Sequence, residues 1–218
     1  LPLSMLHNDD LQVNARPPAR QYNLPLPPNY IPPSELPATT QATDHLTPTV
    51  VRQQLMTVYQ AVERFDVLIG ALRDDITTAG QMDNTVFIIT GARGVLIGEH
   101  GLSGTNSVYT PVVHIPCIIV DPRQPTNRRG WREQRLTTTN DIAPTVLGYA
   151  QVAKPTSMTG RNLAPLIHGL SVLWRDHVLS KHHDKTTSCQ SVRDGDWAYF
   201  RWSTEHVVVR EELYHIRV

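Results

Sequence analysis

A long amphipathic helix followed closely by a buried strand constrains this sequence most. Thr47 and Pro48 form a typical helix start, with a hydroxyl that can cap and a proline that fits the first turn. Apolar residues then recur at alternating spacings of four and three from Val51 to Ile76, and the helix is predicted to end near Gly80. Thr85 to Thr90 is a β-branched and aromatic run, typical of a strand buried on both faces. The stripe also fits a coiled coil, but the strand after it favours a helix packed on a sheet.

The rest of the chain continues the alternation of strands and helices. Ile115 to Val120 predicts a second buried strand, and Gly91 to Gly104 predicts a long loop between the two strands. Asn140 is predicted to cap a short helix that runs through Tyr149. Short alternating runs, Trp197 to Trp202 and His206 to Val209, predict a small antiparallel sheet. The fold class is therefore α/β, with a layered sheet over residues 1–170 and an appended antiparallel subdomain over residues 171–218.

Composition excludes several classes of protein. The 20 basic and 20 acidic side chains cancel, which removes the positive charge that nucleic-acid binding normally needs. No run reaches the roughly 18 apolar residues of a membrane span, and no signal peptide opens the chain. Cys117 and Cys189 allow one disulfide at most and leave the compartment open. Because the chain begins at Leu1, we expect a processed product or a fragment.

A proline-rich segment precedes the long helix. Eight prolines lie between Pro17 and Pro37, so this stretch is predicted to be extended. It is either a disordered linker or an ordered loop packed over a larger body. Aromatic and aliphatic residues such as Tyr22, Leu26 and Tyr30 favour the ordered loop, since a plain linker needs few such anchors.

An ordered series of motifs resembles the sulfatase family. Asp83-Asn84-Thr85 precedes the first strand, and Gly98-Glu99-His100-Gly101-Leu102 closes the glycine-rich loop, as in the family's D-N-T and G-E-H-G-L segments. Further matches follow in the family's order: Tyr109 with Ile115-Pro116, then Asn140 to Leu147, Gly160 to Leu163, and Glu212-Leu213-Tyr214. The resemblance covers most of residues 45 to 215 and implies part of a sulfatase-like layered sheet with flanking helices.

The resemblance also implies that the nucleophile is missing. Sulfatases use a formylglycine made from a C/S-x-P-S-R motif, with acidic metal ligands near the N-terminus. Cys117 is followed by Ile118, and Cys189 by Gln190, so neither belongs to such a motif. The chain is therefore interpreted as the C-terminal portion of a sulfuric ester hydrolase, whose hydrated aldehyde would attack sulfur. Because the family builds its sheet from both halves, we expect the isolated chain to be marginally stable or prone to aggregate.

The implied metal and sulfate sites are altered. The family's Asp and His or Asn, which bind a divalent cation, commonly Ca²⁺, correspond to Ala92 and Arg93, and its sulfate-binding Lys corresponds to Thr105. No metal ligand is predicted here. The remaining candidates are Arg93, His100 and Thr105 for substrate binding and His7 as a catalytic acid, with Asn8 as the alternative at that position. Glu99 and His100 can equally serve to shape the loop.

Three functions follow from these interpretations. The first is a portion of a sulfatase whose ligand is a sulfated small molecule or glycan. The second is a non-catalytic, degenerate sulfatase in which Arg93 pairs with sulfate directly. The third is a phosphodiesterase or phosphonate hydrolase of the same alkaline phosphatase-like superfamily. Two further clusters are interpreted as solvated: the His182-His183-Asp184 loop and the basic run from Arg128 to Arg135.

Overall fold

The computed structural model describes residues 24–32 and 46–216, which form two compact units. The described residues of the first unit lie within Leu1–Thr85, Thr90–Thr105 and Thr110–Pro116. The second unit contains Val86–Ile89, Asn106–Tyr109 and the chain from Cys117 onward. No helix in the described ranges is both long and apolar enough to cross a bilayer.

The first unit is dominated by α1, Pro48–Thr78, which has 31 residues. The Thr47 hydroxyl accepts a hydrogen bond from the backbone N–H of Val50 at 3.4 Å, and Pro48 opens the first turn. Gly80 follows the helix with φ of +68°, a left-handed conformation that glycine adopts readily. The predicted start and end of this helix are both confirmed.

The core of the first unit lies at the start of α1. Leu46, Val51 and Ile97 are almost completely buried and pack together. Ile97 belongs to β2, Leu96–Ile97, which pairs antiparallel with β3, Ser103–Gly104. This hairpin lies within the stretch that was predicted to be a plain loop, because strands of two residues leave no periodic signal. Thr110–Val113 forms a short helix, α2, in the same unit.

The apolar stripe of α1 is exposed beyond its first two turns. Val58, Val62, Phe65 and Leu72 retain 41%, 57%, 38% and 47% of their accessible surface. At its first turns α1 contacts β2 of the short hairpin, and packing of the helix on the strand at Thr85 to Thr90 stays a prediction. Periodicity shows that a helix has an apolar face, but it carries no information about what covers that face.

Two short strands, which belong to the second unit except for Thr90, form a two-stranded sheet. They are β1, Phe87–Thr90, and β4, Cys117–Val120. Phe87 is buried, as predicted, whereas Ile118 and Val120 are about half exposed. The prediction that β4 is buried on both faces is therefore wrong for the described structure. Its apolar composition is typical of a buried strand, but the described residues do not cover it.

A four-stranded antiparallel meander completes the second unit and confirms the predicted C-terminal sheet. Its strands, in chain and spatial order, are β5, Val178–His183; β6, Thr187–Arg193; β7, Trp197–Thr204; and β8, Val207–His215. Cys189, Ala198 and Phe200 are buried on the inner face. The prediction of a loop at His182-His183-Asp184 is wrong, since both histidines belong to β5. Polar residues dominate that strand because only one of its faces is covered.

Short helices connect these sheets. A 3₁₀ turn at Thr139–Asp141 leads directly into α3, Ile142–Tyr149, so the predicted helix is present. The prediction that Asn140 caps it is wrong, because the N-cap of the turn is Thr138 and that of α3 is Asp141. A further single-turn helix, α4, spans Ala164–Ile167. Helices and strands are thus mixed as the predicted α/β class requires.

Candidate functional site

The glycine-rich loop is fixed by close backbone contacts. The Gly94 N–H donates to the Val112 carbonyl at 2.8 Å, and the Gly91 N–H donates to the Pro116 carbonyl at 3.3 Å. A Cβ at position 94 would lie 1.9 Å from the carbonyl oxygen of Pro111. Glycine is therefore required at position 94 by this approach of two backbones.

A tight turn follows at Gly98. The Gly98 N–H donates to the Leu102 carbonyl at 2.9 Å, and the Glu99 carboxylate accepts the N–H of Ile97. Gly98 has φ of +101°, and a Cβ there would lie 2.8 Å from the Tyr30 ring. Glu99 therefore folds the loop back on itself, which matches the interpretation of this residue as one that shapes the loop.

His100 lies at the exposed tip of that turn and contacts the proline-rich segment. Its φ is +54°, its N–H donates to the Asn29 carbonyl at 2.9 Å, and its Nε2 lies 2.9 Å from Nδ2 of Asn29. The Tyr30 hydroxyl donates to the Leu46 carbonyl at 2.7 Å. Residues 24–32 are thus ordered over the loop, as predicted for the alternative to a linker. The remainder of the proline-rich segment lies outside the described residues.

The other predicted site residues are distributed along the same loop. Arg93 is exposed in the bend after β1, and Thr105 is half-buried directly after β3. The predicted catalytic His7 lies outside the described residues. The structure thus places Arg93, His100 and Thr105 on one loop of the first unit, and their roles stay predictions.

The side chains of the loop do not fit the calcium ion that the resemblance implies. Ala92 has no ligating atom, and the Arg93 guanidinium has no acceptor and repels a cation. Across residues 24–32 and 46–216, no cluster of three or more His, Cys, Asp or Glu side chains could hold a metal ion.

Asp141 is a buried hub that sequence reasoning missed. Its carboxylate accepts backbone N–H bonds from Thr138 and Arg161, both at 2.8 Å, and both terminal nitrogens of Arg175 donate to it. Burial by itself would raise the pKa of Asp141. The bonds from Arg175 and the two backbone groups outweigh burial and hold the pKa below its usual range.

Gly160 and Asn162, from the motif at Gly160 to Leu163, pack against the segment that contains Asp141. A Cβ at Gly160 would lie 1.8 Å from the Asn140 carbonyl oxygen, and one at Gly148 would lie 2.2 Å from Nδ2 of Asn162. The Thr145 hydroxyl accepts the Leu163 N–H at 2.8 Å. The motifs at Asn140 to Leu147 and Gly160 to Leu163 therefore form one interlocked structure.

Asp121 forms a second buried carboxylate site. Its Oδ2 lies 2.9 Å from Nε2 of His168, and its Oδ1 accepts from the N–H and Nε of Arg123 at 2.9 and 3.0 Å. Burial raises the pKa of Asp121, but the bonds from Arg123 and His168 outweigh it and lower the pKa overall. This pair orients His168.

Two of the matching motifs, at Tyr109 and at Glu212-Leu213-Tyr214, meet on the inner face of the C-terminal sheet. The Tyr109 hydroxyl donates to the Glu212 carboxylate at 2.9 and 3.1 Å, across 103 residues of sequence. The Tyr109 ring centroid lies 5.1 Å from that of Phe200 and 5.7 Å from that of Trp202. Burial, followed by the Glu212 carboxylate, raises the pKa of Tyr109 above its usual range. This contact is structural, because it anchors the sheet to residues 106–109.

Taken with the fold, these linked motifs define a member of the sulfatase family. The family model "Sulfatase" matches residues 23–152, well over half of the chain. The C-terminal family model "N-sulphoglucosamine sulphohydrolase, C-terminal" matches residues 98–217. The chain belongs to the sulfatase family, and the predicted family is confirmed.

Several characterised proteins are similar to parts of the chain. An N-acetylglucosamine-6-O-sulfatase of Bacteroides thetaiotaomicron is 32% identical over 53% of this chain and 20% of its own length. The human N-sulphoglucosamine sulphohydrolase is 25% identical over 69% of this chain and 30% of its own length. An arylsulfatase of Clostridium perfringens is 26% identical over 57% of this chain and 26% of its own length. The chain thus spans between a fifth and a third of these relatives.

Solved structures share the fold. A 2-O GAG sulfatase matches with a TM-score of 0.74 and 21% identity over 95% of this chain and 48% of its own. The phosphonate monoester hydrolase of Agrobacterium radiobacter matches with a TM-score of 0.71 and 20% identity over 80% of this chain and 37% of its own. Another neighbour, with a TM-score of 0.59 and 22% identity over 72% of this chain and 32% of its own, was solved with its substrate D-glucosamine-2-N,6-O-disulfate. The predicted fold, a partial sulfatase-like sheet with a C-terminal antiparallel sheet, is confirmed.

Proposed function

We propose that this chain is the C-terminal portion of a sulfuric ester hydrolase and has no hydrolase activity alone. The observation that carries the proposal is the match of two sulfatase family models, to residues 23–152 and 98–217. The altered residues Ala92 and Arg93, which the resemblance aligns with metal ligands, favour instead the non-catalytic alternative described below. The chain supplies the glycine-rich loop, the adjoining strands and the C-terminal sheet. The nucleophile and the remaining metal ligands are proposed to come from a part of the protein outside these 218 residues.

The two cysteines support this division of roles. Cys189 is completely buried, and burial raises the pKa of its thiol to about 12. Cys117 remains accessible, but partial desolvation on β4, and then the nearby Asp141 carboxylate, also raises the pKa of its thiol. A thiol with a raised pKa is mostly protonated at neutral pH and is a poor nucleophile. Neither cysteine therefore replaces the missing formylglycine.

Exposed apolar surface also supports the proposal. The α1 stripe from Val58 to Leu72 is exposed, and so are Ile118 and Val120 on β4. Contiguous exposed apolar patches on soluble proteins commonly mark interfaces or aggregation sites. We therefore keep the expectation that the isolated chain is marginally stable. A sharp, reversible thermal transition in a dilute monomer would contradict that expectation.

Activity is tested with the purified 218-residue chain and 4-nitrophenyl sulfate, with and without added Ca²⁺. We expect no release of 4-nitrophenol above the buffer rate in either condition. Circular dichroism on the same sample establishes that the chain is folded. Turnover that scales with enzyme concentration would overturn the proposal.

Sequencing of the coding DNA upstream of Leu1 separates the two main hypotheses. An in-frame C/S-x-P-S-R segment with its acidic neighbours supports the hydrolase. A start codon close to Leu1 supports a non-catalytic protein that binds sulfated ligands. In the non-catalytic case, the exposed Arg93 guanidinium would bind sulfate by charge-assisted hydrogen bonds in place of a cation.

The binding alternative has its own test. A sulfated heparin disaccharide should bind the chain without Ca²⁺, and Arg93→Ala should weaken that binding, whereas the exposed Arg132→Ala should leave it unchanged. Equal binding by both variants would remove Arg93 from the site. Phosphonate hydrolysis is a further alternative that the shared fold leaves open, and the ratio of sulfate to phosphonate ester turnover in a complete relative tests it.

A further inference from the structure

Two loops of the second unit run side by side and are joined at both ends. They are residues 128–136, which we call the basic loop, and residues 169–174, which we call the apolar loop. At one end, Nη2 of Arg128 donates to the Leu166 carbonyl at 3.2 Å, and Nε of Arg128 would lie 2.9 Å from a Cβ on Gly169. At the other end, Nε1 of Trp174 donates to the Leu136 carbonyl at 2.7 Å. The exposed side chains of these loops therefore lie on adjoining segments of one surface.

Large apolar side chains are exposed on both loops. Leu173 retains 96% of its accessible surface, and Trp131 and Leu170 retain 59% and 57%. A leucine as exposed as Leu173 contacts almost nothing in its own chain, so it can enter an apolar phase without any change in the fold. Removing this surface from water would favour association. The three side chains therefore mark a contact surface.

The basic loop carries an excess of positive charge. It contains four arginines and one carboxylate, Glu133, which forms an ion pair with Arg135 at 2.8 Å. Arg129 and Arg132 are exposed. In the described part of the chain, no carboxylate forms an ion pair with Arg128, Arg129 or Arg132. The apolar loop contains no charged side chain, so it does not offset these three cations.

Two other carboxylates lie near the loops, and each has a different partner. Asp121 is buried and bonds to His168 and Arg123. Asp176 is exposed beyond the end of the apolar loop and bonds to His177. Neither is paired with an arginine of the basic loop, which therefore keeps its net positive charge.

Trp131 is held at the surface by the turn that precedes it. Its N–H donates to the Arg128 carbonyl at 3.1 Å, and Gly130 has φ of +70° inside this turn. Cζ of Arg128 lies 4.2 Å from the centroid of the indole ring and stacks on it. The exposed indole is therefore already ordered, which reduces the entropy that a binding event has to supply.

These side chains match the layers of a bilayer surface. Leucines enter the acyl boundary, tryptophan lies at the level of the headgroups, and arginine donates to lipid phosphates while its stem stays apolar. A bilayer is fluid, so it accepts exposed loop side chains without a groove of matching shape. A soluble polyanion would pair with the arginines but would leave Leu170 and Leu173 in water. The combination of both kinds of side chain favours the bilayer.

We propose that the basic and apolar loops together form a docking surface for an anionic lipid bilayer. Leu170, Leu173 and Trp131 enter the interface, and Arg129 and Arg132 bind headgroup phosphates. The inference is independent of the proposed hydrolase function, because it rests only on the contacts, exposure and charge of two loops of the second unit.

Binding is measured on the full chain by sedimentation with sucrose-loaded vesicles at low salt. One set of vesicles consists of phosphatidylcholine, and the other contains about 30% phosphatidylserine, which makes the surface anionic. We expect the chain to bind the anionic vesicles about tenfold more tightly, because each arginine near an anionic surface strengthens binding. Added salt should reduce this difference, since it screens the arginines from the lipid charges.

Charge on the basic loop is tested with a double variant. Arg129→Ala combined with Arg132→Ala should weaken binding to the anionic vesicles about tenfold. The matched control combines Arg64→Ala with Arg73→Ala, which removes the same charge from exposed positions of α1 and should leave binding nearly unchanged. Thermal unfolding of both double variants establishes that the fold is intact.

The apolar contact is tested with a leucine variant. Leu173→Ser should weaken binding about fivefold, because a side chain that enters the interface becomes polar. Leu213→Ser is the control, since Leu213 is 63% exposed on β8, outside both loops. Equal loss in the two variants would mean that binding does not use the apolar loop.

Three further results would overturn the proposal. They are equal binding to the two kinds of vesicle, undiminished binding of the variant that lacks Arg129 and Arg132, and no sedimentation with either vesicle. The exposed stripe of α1 is the competing apolar surface. If Phe65→Ser weakens binding and Leu173→Ser does not, the bilayer contact belongs to α1 instead.

Discussion

Asp141 and Arg93 belong to two motifs that resemble those of the sulfatase family, and they differ in burial and in hydrogen bonding. Asp141 is completely buried and holds four donors from three segments of the second unit. Arg93 is exposed in a loop whose path is set by its glycines. The motif residue that carries packing thus fits the family resemblance, whereas Arg93 stands at a position where the resemblance implies a metal ligand. Substitutions at each kind of position test that contrast.

The largest effect is expected at Asp141. Asp141→Asn leaves the Arg175 guanidinium without its buried counter-charge, so we expect a loss of about 3–5 kcal/mol in the free energy of unfolding. Urea unfolding followed by circular dichroism measures this loss. The control is Asp176→Asn, because the Asp176 side chain is 92% exposed and its removal should cost little. Similar losses in both variants would contradict the role of Asp141 as a hub.

A smaller loss is expected at Gly94. Gly94→Ala places a Cβ against the Pro111 carbonyl, and the forced backbone shift should cost about 1–3 kcal/mol. Gly70→Ala provides the comparison, because no atom lies within 4 Å of its added Cβ in α1. Alanine there should stabilise the chain by about 0.5–1 kcal/mol through helix propensity. Opposite signs in thermal unfolding support the assigned geometry, and a neutral Gly94→Ala refutes it.

Acid should destabilise the second unit through Asp121 and Asp141. Both carboxyls have a folded-state pKa below the usual value of 3.8, so their stabilisation is fully present above that pH. It is lost as the pH falls from about 4 through the lowered folded-state pKa. Asp121→Asn should therefore flatten the acid limb of a stability-against-pH curve. An unchanged limb would mean that Asp121 titrates normally in the folded chain.

The smallest effect on stability is expected at Arg93. Arg93→Ala removes an exposed side chain, so the free energy of unfolding should change by less than about 0.5 kcal/mol. Differential scanning calorimetry compares this variant with Gly94→Ala, one residue away. A loss at Arg93 as large as that at Gly94 would show that the arginine holds the loop, which would weaken the proposed contrast.

Local sequence signals predicted the elements that depend on local physics. The spacing of apolar residues and the Thr47-Pro48 start predicted α1, and alternation predicted β7 and the first residues of β8 but neither β5 nor β6. By contrast, Arg175 lies 34 residues from Asp141 and Glu212 lies 103 residues from Tyr109, and no local pattern indicates such pairs. Burial has the same limit. The apolar stripe of α1 was predicted correctly, but whether that stripe is buried depends on which residues pack against it. His182 and His183 were misassigned because a polar, half-covered strand has the composition of a loop.

The unequal environments of the two cysteines provide a chemical handle. Cys117 is accessible on β4, whereas Cys189 is sealed inside the C-terminal sheet. A maleimide reagent at mildly alkaline pH should therefore attach a single fluorophore or spin label at position 117 of the native chain. No cysteine needs to be removed for this, since the sequence contains only these two. The label would then report directly on whether the exposed side of β4 becomes covered when a candidate partner is added.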